Sequence, residues 1–302
     1  MAAKAFPWLS DLIGEIKPKI NQPESDPMQL SFDADELTMA CRSEQDYLWE
    51  RLGSLDKDFG ITIDTSLSVT AGSRTFTLPA NLRMLRRVVE INSSGDEVAG
   101  GELWDAHWEE LAGSERMCKF LPSDNTLYFA IAPSRTYTVK VVYGRYPVPV
   151  LHGVVAVGAA TSLTLSSWEL NEDDAYNTKS LRIYAGTGAG QERPVLDWIG
   201  ATRVATFATP FSPVPDVTSK YTSRPELPWD FKDAFVYGVS ARLLEKLIGE
   251  TDTVRAHYAQ REKHLMQGRG AAAGLKRQNT KLIRDDYNDI GYADPADVGY
   301  IF

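Results

Sequence analysis

Between Arg224 and Gln267 the apolar residues fall at helical spacing, and no other stretch restricts the fold so tightly. Phe231, Ala234, Phe235, Gly238, Ala241, Leu244, Leu247 and Ile248 follow a 3.6-residue repeat. Pro225 and Pro228 disfavour helix before Trp229, and Asp230 is placed to cap a helix that starts there. Gly238 and Ala241 leave a shallow groove in an otherwise bulky stripe, which predicts close approach of another backbone. Gly249, Thr251 and Asp252 punctuate the chain before a second helix over about 253–266.

At 302 residues the chain has room for one large or two ordinary domains, each able to bury a core. With 43% apolar and 24% charged residues it has the composition of a globular protein. No apolar run approaches the roughly 20 residues that span a bilayer, so no membrane segment is expected. The opening MAAKAFPWLSDLIGEI lacks the layout of a signal peptide. Cys41 and Cys118 have no metal-like spacing and read as two buried free thiols in a reducing compartment. A net charge of -9 argues against wholesale nucleic-acid binding.

Ahead of the closing helices the pattern changes twice. A first helix is expected from about Trp8 to Ile16, ended by Pro18, and a longer one from about Met28 to Leu52, stopped by Gly53. From Ile61 the period becomes alternating. ITID, SLSV, RTFTLP and LRRVVEI read as strands, with Ser93-Ser94-Gly95-Asp96 as a hairpin turn. Glu102 to Leu111 reads as a short helix, and CKFLPSDNTLYFAIAP and YTVKVVYGRYPVPV as further strands. Residues 151–222, rich in Ala, Thr, Ser and Gly, read as a compact all-β module inserted into a fold that resumes at 223. The expected class is therefore α+β: a helical bundle with a small β layer over 1–150 and 223–268, plus the inserted all-β domain and an extended C-terminal arm over 269–302.

The chemistry-bearing motifs are weak. Gly186-Thr187-Gly188-Ala189-Gly190-Gln191 lacks the third glycine and following helix of a dinucleotide loop, and the Lys-Ser/Thr ending of a phosphate loop, so a hairpin turn is expected. His107, His152, His257 and His264 are scattered, the last two being two turns apart on one helix and beyond the reach of a single metal. Glu169, Glu172, Asp173 and Asp174 lack the glycine and alternation of a calcium loop and read as a solvated turn. No catalytic, metal or cofactor site is assigned, and the chain is not expected to be an enzyme.

The charge layout near the end is more informative. Eight basic residues between Arg255 and Arg284 face a single acid, Glu262; Arg269, Lys276, Arg277, Lys281 and Arg284 form the segment expected to meet DNA or an acidic partner. From Asp285 onward there are five aspartates and no base, interleaved with Tyr287, Ile290, Tyr292, Tyr300, Ile301 and Phe302 as anchors of a docking arm.

EIKPKI, LWERLG, TFTLPANLRMLRRVVEI, APSRTYTVKVVYGRYP, ELPWDFKDAFVYGVSARLLEKL and VRAHYAQREKHL occur in this order. In that order and spacing the chain resembles the head-to-tail adaptor, or connector, proteins of tailed bacteriophages. The likeness covers roughly 8–150 and 224–280, and rests on a Leu-Pro after a strand that precedes the run Leu82 to Ile91 and on Leu227-Pro228, Ala234, Gly238 and Ala241-Arg242-Leu243-Leu244. TSLTL, RIYAGTGAGQERPVLDWIG and PDVTSKY resemble a small β module of phage structural proteins. The resemblance implies a virion protein of the neck, assembled in the host cytoplasm. It would form a homo-oligomeric ring of about twelve subunits that joins the portal protein to a downstream tail or nozzle protein and passes the DNA genome through its lumen. The alternative is a carbohydrate-binding or tail-fibre-associated phage structural protein acting through the β module.

Overall fold

The computed structural model describes residues 5–20, 32–56, 58–105 and 115–268. The chain divides into two compact units, one of Asp46–Val148 and one of the residues on either side of it. The division falls inside the second helix, between Gln45 and Asp46, and residues 151–222 group with both the opening and the closing helices.

In the unit 46–148 the strands are β1 (Ile61–Asp64), β2 (Ser68–Val69), β3 (Thr75–Thr77), β4 (Leu82–Ile91), β5 (Glu97–Glu102), β6 (Trp104–Asp105), β7 (Met117–Leu121), β8 (Thr126–Phe129) and β9 (Tyr137–Arg145). They form two sheets, one ordered β1-β9-β4-β5 with β2 also on β9, the other β3-β8-β7-β6. All pairings are antiparallel except the short parallel one of Trp104 with Met117 and Asp105 with Cys118. β9 shows why this region is sheet. Val139, Val141 and Tyr143 alternate inward to join Val69, Phe76, Leu82, Val88, Leu127 and Phe129 in one core. The end of helix α2 (Ala34–Leu55) belongs to the same unit, where Trp49 donates its indole N–H to the Arg145 carbonyl at 2.8 Å and lies 4.7 Å from the Phe59 ring. Gly53 does not stop this helix. It admits the Arg83 guanidinium, which would lie 2.4 Å from a Cβ at that position.

The other unit contains α1 (Leu9–Ile20), the first half of α2, strands β10 (His152–Val154), β11 (Val157–Gly158), β12 (Ser162–Thr164), β13 (Ser180–Ala185), β14 (Glu192–Pro194), β15 (Asp197–Ile199), β16 (Val204–Thr206) and β17 (Lys220–Thr222), then α3 (Lys232–Ile248) and α4 over 252–268. The eight strands make two antiparallel sheets, β10-β17-β13-β14 and β11-β12-β16-β15. Helix α1 runs through Pro18, although the proline leaves the Gly14 carbonyl without the backbone donor of residue 18, and buries Leu9, Leu12, Ile13, Ile16 and Ile20. It packs on α3, with Phe6 edge-on to Phe235 at 5.9 Å and Lys232 bonded to Glu15 at 2.8 Å. A 3-10 turn over Trp229–Phe231 precedes α3, and the helix start has no side-chain cap, so Asp230 does not play that part.

The expected helical bundle with a small β layer is overturned. Four sheets dominate the described residues and only four α-helices accompany them. The long amphipathic helices carry the strongest periodic signal, whereas most strands here are two to six residues long and give little. Glu102 likewise ends a strand and Trp104–Asp105 forms another, where a helix was expected; residues 106–114 lie outside the described residues.

The glycine run joins β13 to β14 as a hairpin connection, and its backbone geometry requires the glycines. Gly186, Gly188 and Gly190 all have positive φ, at 79°, 82° and 93°. A Cβ at Gly186 would stand 2.2 Å from the Thr218 carbonyl oxygen, whereas one at Gly190 would meet open space. Gly190→Ala should therefore cost only its backbone strain, about 1–2 kcal/mol. Gly186→Ala should add an overpacking cost of about 1–3 kcal/mol on top. Chemical denaturation of both variants measures the difference, and equal losses would rule out close approach as the reason for Gly186.

Candidate functional site

Helix α2 carries charge into the interior of its unit at two neighbouring positions. Its buried stripe runs Leu37, Cys41, Leu48, Leu52, and Glu44 stands on that stripe, three residues after Cys41 and four before Leu48. Glu44 is fully buried, and so is Gln45 beside it, whose side-chain oxygen accepts the Glu226 N–H at 3.2 Å. Arg42 is 6% exposed.

Glu44 is where three helices meet. Arg242 of α3 donates Nε–H to its Oε2 at 2.7 Å, and Arg261 of α4 brings Nη1 within 3.6 Å of the same oxygen. Gly238, one turn before Arg242, makes room for the carboxyl, because a Cβ there would lie 2.0 Å from Oε1. Among the described residues that oxygen has no hydrogen-bond partner. Burial outweighs the two guanidiniums and pushes the Glu44 carboxyl up to about 7. Burial, with Glu44 as the next cause, also pushes the Cys41 thiol well up, which keeps it protonated and poorly nucleophilic.

Arg42 points to the β module. Its Nε and Nη2 donate to the Val150 carbonyl at 3.1 and 3.0 Å, and Nη2 also reaches the Tyr176 hydroxyl at 2.7 Å and pairs with the Glu169 carboxylate. Tyr176 and Tyr221 each donate to Glu169, to different oxygens, at 2.8 Å. The backbone N–H groups of Leu170 and Ser166 in turn donate to the two hydroxyls, at 3.2 and 3.1 Å. Both Glu169 oxygens are thus occupied, although burial still pushes its carboxyl up. Glu169 is 2% exposed, so it is an internal anchor and not part of a solvated turn.

The expected site residues divide into two groups. Gly238 and Ala241 are both buried in α3, but the close approach at Gly238 is made by the Glu44 side chain and not by a second backbone. Arg269, Lys276, Arg277, Lys281 and Arg284 lie outside the described residues, as do Tyr287, Ile290, Tyr292, Tyr300, Ile301 and Phe302. Arg261, counted with the basic run, is largely buried and paired with Glu44. His257 and His264 both flank the Tyr237 ring, at 5.8 and 5.4 Å, with the Lys19 ammonium 4.1 Å from its centre. Among the described residues no group of three or more His, Cys, Asp or Glu is placed to hold a metal. Cys41 and Cys118 are free and buried. The charged clusters can hold helices and sheets in fixed register; neither presents an activated nucleophile.

No protein-family model and no curated protein matches the sequence.

The residues that sequence reasoning missed are Arg42, Glu44, Glu169, Tyr176 and Tyr221. Glu44 and Arg261 did carry a signal: each is a charged residue at a stripe position, Glu44 within 37-41-44-48 and Arg261 within 254-258-261-265. Two such positions of opposite sign on separate helices point to a buried pair.

Glu44 ionises near 4.5 in the unfolded chain and near 7 in the folded one, so the folded state binds the extra proton between these values. Its contribution is therefore full below about 4.5 and is lost as pH rises through about 7. Glu44→Gln should remove that downward slope when urea stability is followed from pH 4.5 to 8; a profile parallel to that of the parent would mean Glu44 stays charged throughout. Arg42→Met should cost about 3–5 kcal/mol by stranding the Glu169 carboxylate. Adding Glu169→Gln should recover part of that loss, and a double-mutant cycle reads the coupling directly.

Proposed function

We propose that the chain is a virion structural adaptor that assembles into a ring between the portal and the tail of a bacteriophage and passes the genome. The observation that carries this reading is the pair α3–α4. The stretch ELPWDFKDAFVYGVSARLLEKL, which carries part of the resemblance to connector proteins, supplies a helix packed on the opening helix α1 and locked to α2 by Glu44. Beyond α4 the sequence continues through the basic residues Arg269 to Arg284 into the acidic, aromatic residues from Asp285. Such a layout suits an arm exchanged with a neighbour or a portal, since ring interfaces are heterologous and need complementary surfaces on one chain. An acidic subunit also suits a conduit, because a basic lumen would retain DNA through its phosphates. Among the described residues no helix is long and apolar enough to cross a membrane.

The glycan-binding alternative gains no support from the buried rings of the β module. Tyr176, Trp198, Phe207, Phe211 and Tyr221 are all buried, so none of these rings is free to stack on a sugar.

Native mass spectrometry and electron microscopy of the purified chain, alone and with a portal ring, test the proposal. Rings, or ring formation on the portal, are expected. A chain truncated after Arg284 should still fold and unfold cooperatively, and lose portal binding. A chain that remains monomeric and indifferent to the portal overturns the reading.

A further inference from the structure

A groove of about 420 Å3 opens in the unit that holds α1, between that helix, the start of α2 and the sheet β10-β17-β13. Lys17 and Lys220 stand at it, both exposed, and among the described residues neither has an ion-pair partner. Its floor includes His152, which is 7% exposed, stacks on Tyr184 at 5.7 Å and 15°, and has a buried Nδ1 with no hydrogen-bond partner. Burial first, then the charges of Lys220 and Lys17, push the His152 imidazole down to about 4, so two cations flank a neutral ring that backs the partly exposed ring of Tyr184. Ile13 and Phe32 add apolar wall. The groove therefore matches a ligand that alternates negative charge with aromatic rings.

The chain itself carries one. Residues 285–302 hold Asp285, Asp286, Asp289, Asp294 and Asp297 without a single base, interleaved with Tyr287 and Tyr292. The described part of helix α4 reaches Gly268, which lies against Phe231 and the Asp230 carbonyl, and Lys232 in the next turn is bonded to Glu15 of α1, the helix that lines the groove. Residues 269–284, at roughly 3.3 Å each, reach about 50 Å when extended. We propose that the acidic segment 285–302, from the same or a neighbouring copy of this chain, docks in this groove with aspartates at Lys17 and Lys220 and a tyrosine on the Tyr184–His152 face. Such docking belongs to the free protein and does not require that the chain form a ring.

Photo-cross-linking of the full-length protein tests it. With p-benzoylphenylalanine at position 292, peptides bearing Ile13 to Lys17, Phe32, Tyr184 or Lys220 should dominate the cross-links mapped by mass spectrometry. Lys17→Glu with Lys220→Glu should reduce their yield at least ten-fold while the protein stays folded, as its circular dichroism spectrum shows. Reversing Asp285, Asp286 and Asp289 to Lys in that background should restore it. Mixed isotopically heavy and light protein assigns the contact to one copy or two, and either result supports the proposal. Cross-links that fall elsewhere, no cross-link because the 21–31 connection or another group fills the groove, or a yield untouched by charge reversal, each overturns it.

Discussion

The ion pair between Arg42 and Glu169 is the interaction on which one whole unit depends. Arg42 comes from a helix near the start of the chain, while Glu169 lies inside a β module more than a hundred residues later. The same guanidinium binds the Val150 carbonyl, at the point where the chain enters the module, and Ser223 at its exit closes on Leu151 by side chain and backbone. Entry, exit and centre of the module are therefore tied within a few residues of one helix turn. Burying such a pair costs desolvation on both sides, and its net worth against a well-packed apolar pair is small. What it supplies is register: one arrangement satisfies the carboxylate, and any slip leaves a charge stranded.

One turn of α2 divides its charges between two jobs. Arg42 faces the module, while Glu44 faces the closing helices, and Thr38, one turn earlier, hydrogen-bonds the His152 carbonyl of the first module strand at 3.5 Å. The absent side chain of Gly238 is what makes the second job possible. The carboxyl occupies the volume a Cβ would need, which brings Arg242 and Arg261 onto it from two helices. Close packing at that glycine thus serves an electrostatic junction more than a helix crossing.

The helices were legible in the sequence, and the balance of the fold was not. Closing helices at about 229–248 and 253–266 were readable because an apolar stripe sustained over several turns suits a helix and little else. The hairpin at Ser93–Asp96 and the one at Gly186–Gln191 were also readable, since glycines at positive φ mark turns. The dominance of sheet was not, because a strand of three residues such as Glu192–Pro194 or Asp197–Ile199 presents at most one alternation, and its neighbours in the sheet are set by distant partners. The buried network fell beyond reach for the same reason. Tyr176, Tyr221 and Glu169 look like surface residues one at a time, and only the fold shows that each completes the others' hydrogen bonds. Pro18 and Gly53 misled in the opposite direction, being local stop signals that packing overrides.

Glu44 and Glu169 show how the same residue type serves different ends when buried. Burial raises both, yet Glu169 has each oxygen held by a tyrosine hydroxyl as well as the Arg42 charge. Glu44 keeps Oε1 without a partner and relies on cations that approach Oε2 alone. An oxygen without a donor gains nothing from being charged, so desolvation prevails there and the carboxyl titrates near neutrality. The module is thus fixed by an anchor whose acceptors are all met, while the junction of α2, α3 and α4 is the place where the protein can accept a proton without breaking a hydrogen bond at Oε1.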